Sequence, residues 1–294
     1  MDDAVRRSFE HCHAVTRARA RNFYYGLKLT PGPKRDALYA IYAFMRACDD
    51  IADEAAAQTG GAAAGIERIE AFRADMQRVL DAPAEADLPV GPIWPAFRYV
   101  VRTYPIDAAH LHAMLDGQRD DMIGCDYRTF DDLYAYCYKV ASVVGLVCVS
   151  VWGHSGDAAV LKMAEQRGIA FQLTNILRDV VEDVDRGRVY LPAEELERFG
   201  YTPQMLKSRT ANDAFDRLMA FQIDRARDYY AKSAALDDHI DPACRPTSWA
   251  LMRIYRDLLE KLARSPRRVL TRRVRLSSFH KARIALGAAW SRKR

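Results

Sequence analysis

Apolar residues recur through most of the chain at the three- and four-residue spacing of a helix, and alternating strand patterns are scarce. The periodicity predicts helices near 3–25, 34–55, 64–81, 93–104, 107–123, 130–153, 156–184, 193–197, 203–206, 211–235, 247–264 and 277–290. Breaks are expected at Thr30-Pro31-Gly32-Pro33, in the Ala/Gly-rich run Thr59 to Gly65, from Asp81 to Pro92 and from Asp185 to Pro192. The Ala/Gly run reads as a surface loop. Asp107, Asp131, and Thr210 or Asn212 suit helix N-caps. No repeat appears at a solenoid period, and the predicted fold class is all-α.

Two of these helices carry an unusual stripe. At about 100° per residue, Tyr42, Arg46, Asp49 and Asp53 share one narrow sector, and Gln172, Asn175, Asp179 and Asp183 share another. The outer residues of the two sets have identical offsets. Leu38, Ile41, Phe44 and Ile51 surround the first stripe, and Ile169, Phe171, Leu173, Ile176 and Leu177 surround the second. A helix that is apolar elsewhere and polar along one stripe is buried with that stripe on a polar cavity. Aspartates four apart repel one another, so two such pairs point to hard divalent cations holding a phosphorylated group. Convergence of two helices 130 residues apart is simplest in one helical domain around a central cavity, here residues 1–265.

Half of the 294 residues are hydrophobic, enough for a sizeable core. Six cysteines without a CxxC spacing read as buried free thiols in a reducing compartment. No signal peptide is apparent, and the most apolar stretch, Val140 to Trp152, is too short for a bilayer. A cytoplasmic location is expected. The net charge of +5 is unevenly placed. Ten Lys/Arg and no acid lie in the tail 266–294, so the remainder carries −5. The tail interleaves Val269, Leu270, Val274, Leu276, Phe279, Ile284, Leu286 and Trp290 with its cations. Such a segment suits peripheral binding to the inner face of a membrane or packing of a last helix on the body. Nucleic-acid binding is the competing use of a basic tail, but no nucleic-acid motif accompanies it.

Magnesium bridged between the acid pairs would stabilise charge building on a departing diphosphate. Arg46, Arg178 and Arg188 are candidate donors to phosphate oxygens. An allylic cation left behind needs a dry pocket with aromatic faces, for which Phe23, Tyr24, Tyr25, Tyr39, Tyr42, Phe44, Tyr136, Tyr138, Phe171 and Tyr255 are available. The HxH pairs His11/His13 and His110/His112 lack zinc-helix spacing, and no P-loop, GxSxG or dinucleotide fingerprint is present. Asp237-Asp238-His239-Ile240-Asp241 reads as a solvated helix end.

Asn22-Phe23-Tyr24-Tyr25, Ala37 to Glu54, Tyr136 to Gly145 and Phe171 to Pro192 together closely resemble the squalene/phytoene synthase family, in family order, with similarity from about Thr16 to Leu262. That resemblance implies the isoprenoid synthase fold and head-to-head prenyl transfer, most like bacterial presqualene diphosphate and squalene synthases. It implies that Asp49, Asp53, Asp179 and Asp183 bind two or three magnesium ions. Gln172 and Asn175 would support the second cluster, and Arg46 and Tyr42 would line the first. Tyr136 would handle a proton or the cation, with Asp121 on the preceding helix. Ala141, Val144 and Gly145 would let prenyl tails pass, and Phe23 and Tyr255 would be pocket aromatics. The chain departs from many members at Arg19, Asn22 and Ala141-Ser142-Val143.

The expected substrate is farnesyl diphosphate, two molecules of which would give presqualene diphosphate and, in some members, squalene or dehydrosqualene. NADPH is expected only if the reaction proceeds to squalene. The alternatives are phytoene synthesis from geranylgeranyl diphosphate and a non-catalytic scaffold of the same fold. The sequence leaves the oligomeric state open.

Overall fold

The structure, a computed structural model, describes residues 2–56, 61–83, 86–124 and 126–291. Among them there is no strand, and the only β-type pairing is an isolated bridge between His154 and Ile240. The helices are α1 (Asp3–Arg19), α2 (Arg21–Leu27), α3 (Gly32–Ala56), α4 (Gly61–Asp81), α5 (Trp94–Thr103), α6 (Ala108–Ile123), α7 (Phe130–Cys137), α8 (Val143–Trp152), α9 (Ala158–Asp185), α10 (Ala193–Phe199), α11 (Pro203–Lys207), α12 (Asp213–Lys232), α13 (Arg245–Ala263) and α14 (Ser278–Ser291). A π-helical turn, Tyr138–Ser142, joins α7 to α8, and 3₁₀ turns occupy Ala234–His239 and Pro266–Leu270.

Local chemistry explains where these elements start. Asp107 and Asn212 cap α6 and α12 as expected, accepting from the amides of Ala109 and Phe215. At α7 the cap is Thr129 and not Asp131, because Thr129 and Asp132 form a reciprocal capping box. The expected helix 3–25 is two helices that part at Ala20. The Ala/Gly-rich run was misjudged from Gly61 on, where α4 already begins, since three alanines favour helix. Gly65 is buried there, and a Cβ on it would lie 2.5 Å from the Ala55 Cβ. Thr59 and Gly60 lie outside the described residues, as does Cys125. The other cysteines are free thiols, all buried except the half-buried Cys148.

The core has two parts. One gathers α1, α3, α5, α6 and α8 around Phe44, Phe97 and Leu115. The other gathers α7, α9, α12 and α13 around Leu133, Ile176, Phe215 and Leu258. Phe23 and Phe171 pack on both parts, and a cavity lined by both lies at this seam. Helices α8 and α9 approach backbone to backbone. A Cβ on Gly168 would lie 2.4 Å from the Ser142 Cα, and one on Gly145 would lie 2.9 Å from the Ala164 carbonyl oxygen. Gly145 is therefore required by helix packing and not only by a passing ligand. The run Phe130–Trp152 is long and apolar enough to cross a membrane, but it packs against α6 and α9 inside the bundle.

The C-terminal segment is seated on the body. Val269, Leu270 and Val274 are buried in the second core part, and α14 packs on α13 and α2 through Ile284 and Ala288.

Candidate active site

Helix α3 presents the first acid set. Arg46 donates to Asp53 at 2.7 Å, reaches Asp49 at 3.5 Å and pairs closely with Asp50. Gln118 of α6 donates to Asp49 at 2.7 Å, and Arg19 donates to Asp50 at 2.9 Å. Burial pushes Asp49 up to about 7 against the pull of Arg46, and Asp53, Asp50 and Asp121 push the same way. Helix α9 presents the second set. Arg178 donates through Nε to Asp179 at 2.7 Å. Arg273, from the C-terminal segment, reaches Asp179 at 2.8 Å and Glu182 at 3.1 Å. Burial also raises Asp183 to about 7, with Asp179 and Asp121 adding to the rise and Arg186 and Arg188 opposing it.

Asp121 ties the two sets together. Its carboxylate accepts from Tyr136 at 3.0 Å and from Tyr190 at 2.9 Å, and Arg188 donates to its backbone carbonyl at 3.2 Å. Its charge acts on both Asp49 and Asp183. The acid ends of α3 and α9 therefore face one shared space, with α6 between them. Burial raises both Asp121 and the Tyr136 hydroxyl, so the proton of Tyr136 is firmly held.

The cavity opens beside this space. It holds about 730 Å³ of empty volume, part of it open to solvent, and is lined by Phe23, Ala141, Val144, Gly145, Phe171, Gln172 and Asn175 among others. Tyr255 backs it, stacking on Phe171 at 4.4 Å between ring centres and lying 5.6 Å from Phe23. Tyr42 acts electrostatically on Tyr255. Along α9 the lining runs from Asn175 to Ala164, away from the acids. At the inner end Arg167, which is 5% exposed, pairs with Asp237 at 2.5 Å and donates to Ser248 at 2.7 Å. Asp237 is thus not solvated as expected, and Asp241 pairs with Lys34 at 2.5 Å. Their partners lie 70 and 207 residues away, beyond any local pattern.

Among the described residues, three buried side-chain polar atoms lack a hydrogen-bond partner: Trp152 Nε1, Arg167 Nε and Asn175 Oδ1. All three belong to residues lining this cavity. Buried polar groups are almost always paired, so such a concentration marks a space shaped for a guest.

The acid residues fit magnesium. Protein-bound magnesium usually takes one or two carboxylates and completes its shell with phosphate oxygens and water. Burial and neighbouring acids raise Asp49 and Asp183, so a bound cation would favour their charged forms, and the Asn175 Oδ1 has no hydrogen-bond partner within the protein. Among the described residues no three His, Cys, Asp or Glu side chains are grouped so as to hold a metal ion by themselves.

Gln118, Tyr190, Arg273, Trp152 and Arg167 were missed by the sequence reading. Tyr190 lies within the stretch that carries the family resemblance, and Arg273 sits beside the apolar Val274 in the basic tail; these were the available signals. Of the residues that depart from many members, Arg19 contacts Asp50 and Ser142 bonds to the Glu165 carbonyl at 2.8 Å. The side chain of Asn22 lies outside the described residues.

A model of the squalene/phytoene synthase family matches residues 16–280. A phytoene synthase of Mycobacterium tuberculosis is 36% identical, covering 97% of this chain and 91% of that protein. A 15-cis-phytoene synthase of Synechococcus elongatus is 35% identical over 93% of this chain and 90% of its own length. Among solved structures, a dehydrosqualene synthase superposes with a TM-score of 0.83 at 29% identity, covering 98% of both chains. A squalene synthase from Alicyclobacillus acidocaldarius gives 0.80 at 25% identity, covering 90% of this chain and 96% of the other. The chain belongs to the squalene/phytoene synthase family and has its all-α isoprenoid synthase fold. That family condenses prenyl diphosphates head to head.

Proposed function

We propose that this protein joins two farnesyl diphosphates head to head to form presqualene diphosphate. The observation that carries the reading is that Asp121 acts on acids of both helices while Gln172 and Asn175, on the polar stripe of the second, line one largely apolar cavity. Asp49, Asp53, Asp179 and Asp183, with Asn175 and Gln172, would hold magnesium, which when bound supplies Lewis-acid stabilisation to departing diphosphate. Arg46, Arg178, Arg188 and Arg273 are placed to exchange carboxylate or carbonyl partners for phosphate oxygens.

The chemistry breaks the C1–O bond of one substrate, releases diphosphate and leaves an allylic cation. The C2=C3 bond of the second substrate attacks that carbon, and loss of one proton closes the cyclopropane. The residues of the cavity serve this sequence by excluding water and by offering Phe23, Phe171 and Tyr255 faces to the cation. In the hydrogen-bonded set Tyr136–Asp121–Tyr190, the Asp121 carboxylate would be the group to take up the proton. Farnesyl length is supported by the inner end. From Asp179 to Ala164, α9 spans roughly 22 Å, and Trp152 and Arg167, the latter held by Asp237, line the end away from the acids.

Phytoene synthesis from geranylgeranyl diphosphate is the second reading, favoured by the names of the curated relatives. The test is incubation with each diphosphate and magnesium, with and without NADPH, and identification of products after phosphatase treatment. Presqualene alcohol from farnesyl diphosphate is expected. No thirty-carbon product from it, with phytoene from the longer substrate, would replace the first reading by the second.

A further inference from the structure

We propose that α14 is a membrane-docking helix that seats on an anionic lipid surface through Phe279, Leu286 and Trp290. These side chains are 80%, 71% and 72% exposed, although the same helix buries Ile284 at 6% and Ala288 at 0% against the body. The helix has therefore already used one apolar face for packing and carries a second. Positions 279, 286 and 290 fall within about 40° of one another at 100° per residue, so they form one ridge directed away from α13 and α2. Exposed large apolar residues scattered singly need no explanation, whereas a contiguous set rimmed by polar groups marks an interaction surface.

The rim identifies the partner. Arg283 is exposed within the ridge itself, and Ser278–Ser291 contains no acid. Beside the N-terminal half of α14, a cleft gathers Arg253, Lys261, Arg264 and Arg283 with Asp257 and Glu260. Those two acids are already engaged, Asp257 by Arg253 and His280 and Glu260 by Arg227. At the other end, Ala289 shares a cleft with Lys28 and Arg35. An apolar ridge between cations is the pattern of a helix lying in the plane of an anionic interface. A second copy of the chain is a poorer occupant, because a two-fold contact through this ridge would set the same cations against each other. The placement also has a use. Lys281 lies over the Tyr25 ring at 5.2 Å, and α2 supplies Phe23 to the cavity wall. The docking face is thus one helix away from the space proposed for the prenyl chains.

The experiment is co-sedimentation of the full chain with vesicles of phosphatidylcholine plus phosphatidylglycerol, and with phosphatidylcholine alone. Binding is expected to the anionic vesicles, to weaken with salt, and to fall at least about tenfold on the combined substitution Phe279→Ser, Leu286→Ser and Trp290→Ser. Helical circular dichroism of that variant should match the parent, since all three side chains are exposed. As an independent readout, vesicles should blue-shift the tryptophan emission of the parent but not that of Trp290→Phe, which still binds. Equal vesicle binding by the triple variant would overturn the proposal. So would a parent that ignores vesicles and forms a dimer by light scattering that the triple variant loses.

Discussion

The two ends of the cavity treat charge in opposite ways. At the outer end burial holds Asp49 and Asp183 near 7, with Asp53 adding to the rise at the first, Asp179 at the second and Asp121 at both. At the inner end Arg167 and Asp237 are nearly dry, matched one to one and braced by Ser248 and the Ser233 carbonyl. The outer acids gain from an added cation, whereas the charges of Arg167 and Asp237 already neutralise each other within the protein. Substitutions at the outer end should therefore change turnover and spare the fold, and substitutions at the Arg167–Asp237 pair should first cost stability.

The largest effect is expected from Asp49→Ala and Asp179→Ala. Each should lower turnover by more than the roughly 10–100-fold typical of a group one shell removed from a metal, with the helical circular dichroism signal intact. Normal turnover in either would mean that the ligands are misassigned. At the inner end, Arg167→Leu strands a buried carboxylate and should cost about 3–5 kcal/mol of stability. Adding Asp237→Leu should recover most of that loss in denaturant titrations. A single variant as stable as the parent would show that the pair is not structural.

A pH series sharpens the contrast further. Folding raises the affinity of Asp49 and Asp183 for protons, so in the presence of a chelator the native state holds protons that the unfolded chain has lost between about pH 4 and 7. Thermal stability should fall as pH rises through that window and level off above it. A rise across the same window would contradict the raised proton affinity that burial gives these two acids. The smallest effect belongs to Arg273→Ala. Arg178 still serves Asp179, so stability should drop by only about 1 kcal/mol, with KM rising more than kcat falls.

The sequence carried the outer end far better than the inner one. Tyr42, Arg46, Asp49 and Asp53 lie on one helix, as do Gln172, Asn175, Asp179 and Asp183, so helical periodicity alone groups each set. Asp121 came only from family resemblance, because nothing local distinguishes it from Asp120. Asp237 looked like part of a polar helix end because its cation belongs to another helix. Arg273 was hidden in a run of cations whose destinations only the packed chain reveals. Gly145 was singled out for a passing prenyl tail, whereas what the structure shows there is the close approach of α8 to α9. Pattern reading thus recovers sites built along one element and loses sites assembled across several.

The most direct measurement is calorimetric binding of a non-ionisable thiodiphosphate analogue of farnesyl diphosphate, with and without magnesium. It should be made on the parent, Asp49→Asn, Asp179→Asn and the double variant. If the two helices grip one magnesium–diphosphate assembly, each single variant should lose most of the magnesium-dependent affinity and the double variant little more, a strongly non-additive cycle. Strictly additive losses, or single variants that bind as tightly as the parent, would mean that the two acid helices do not act on the same ligand.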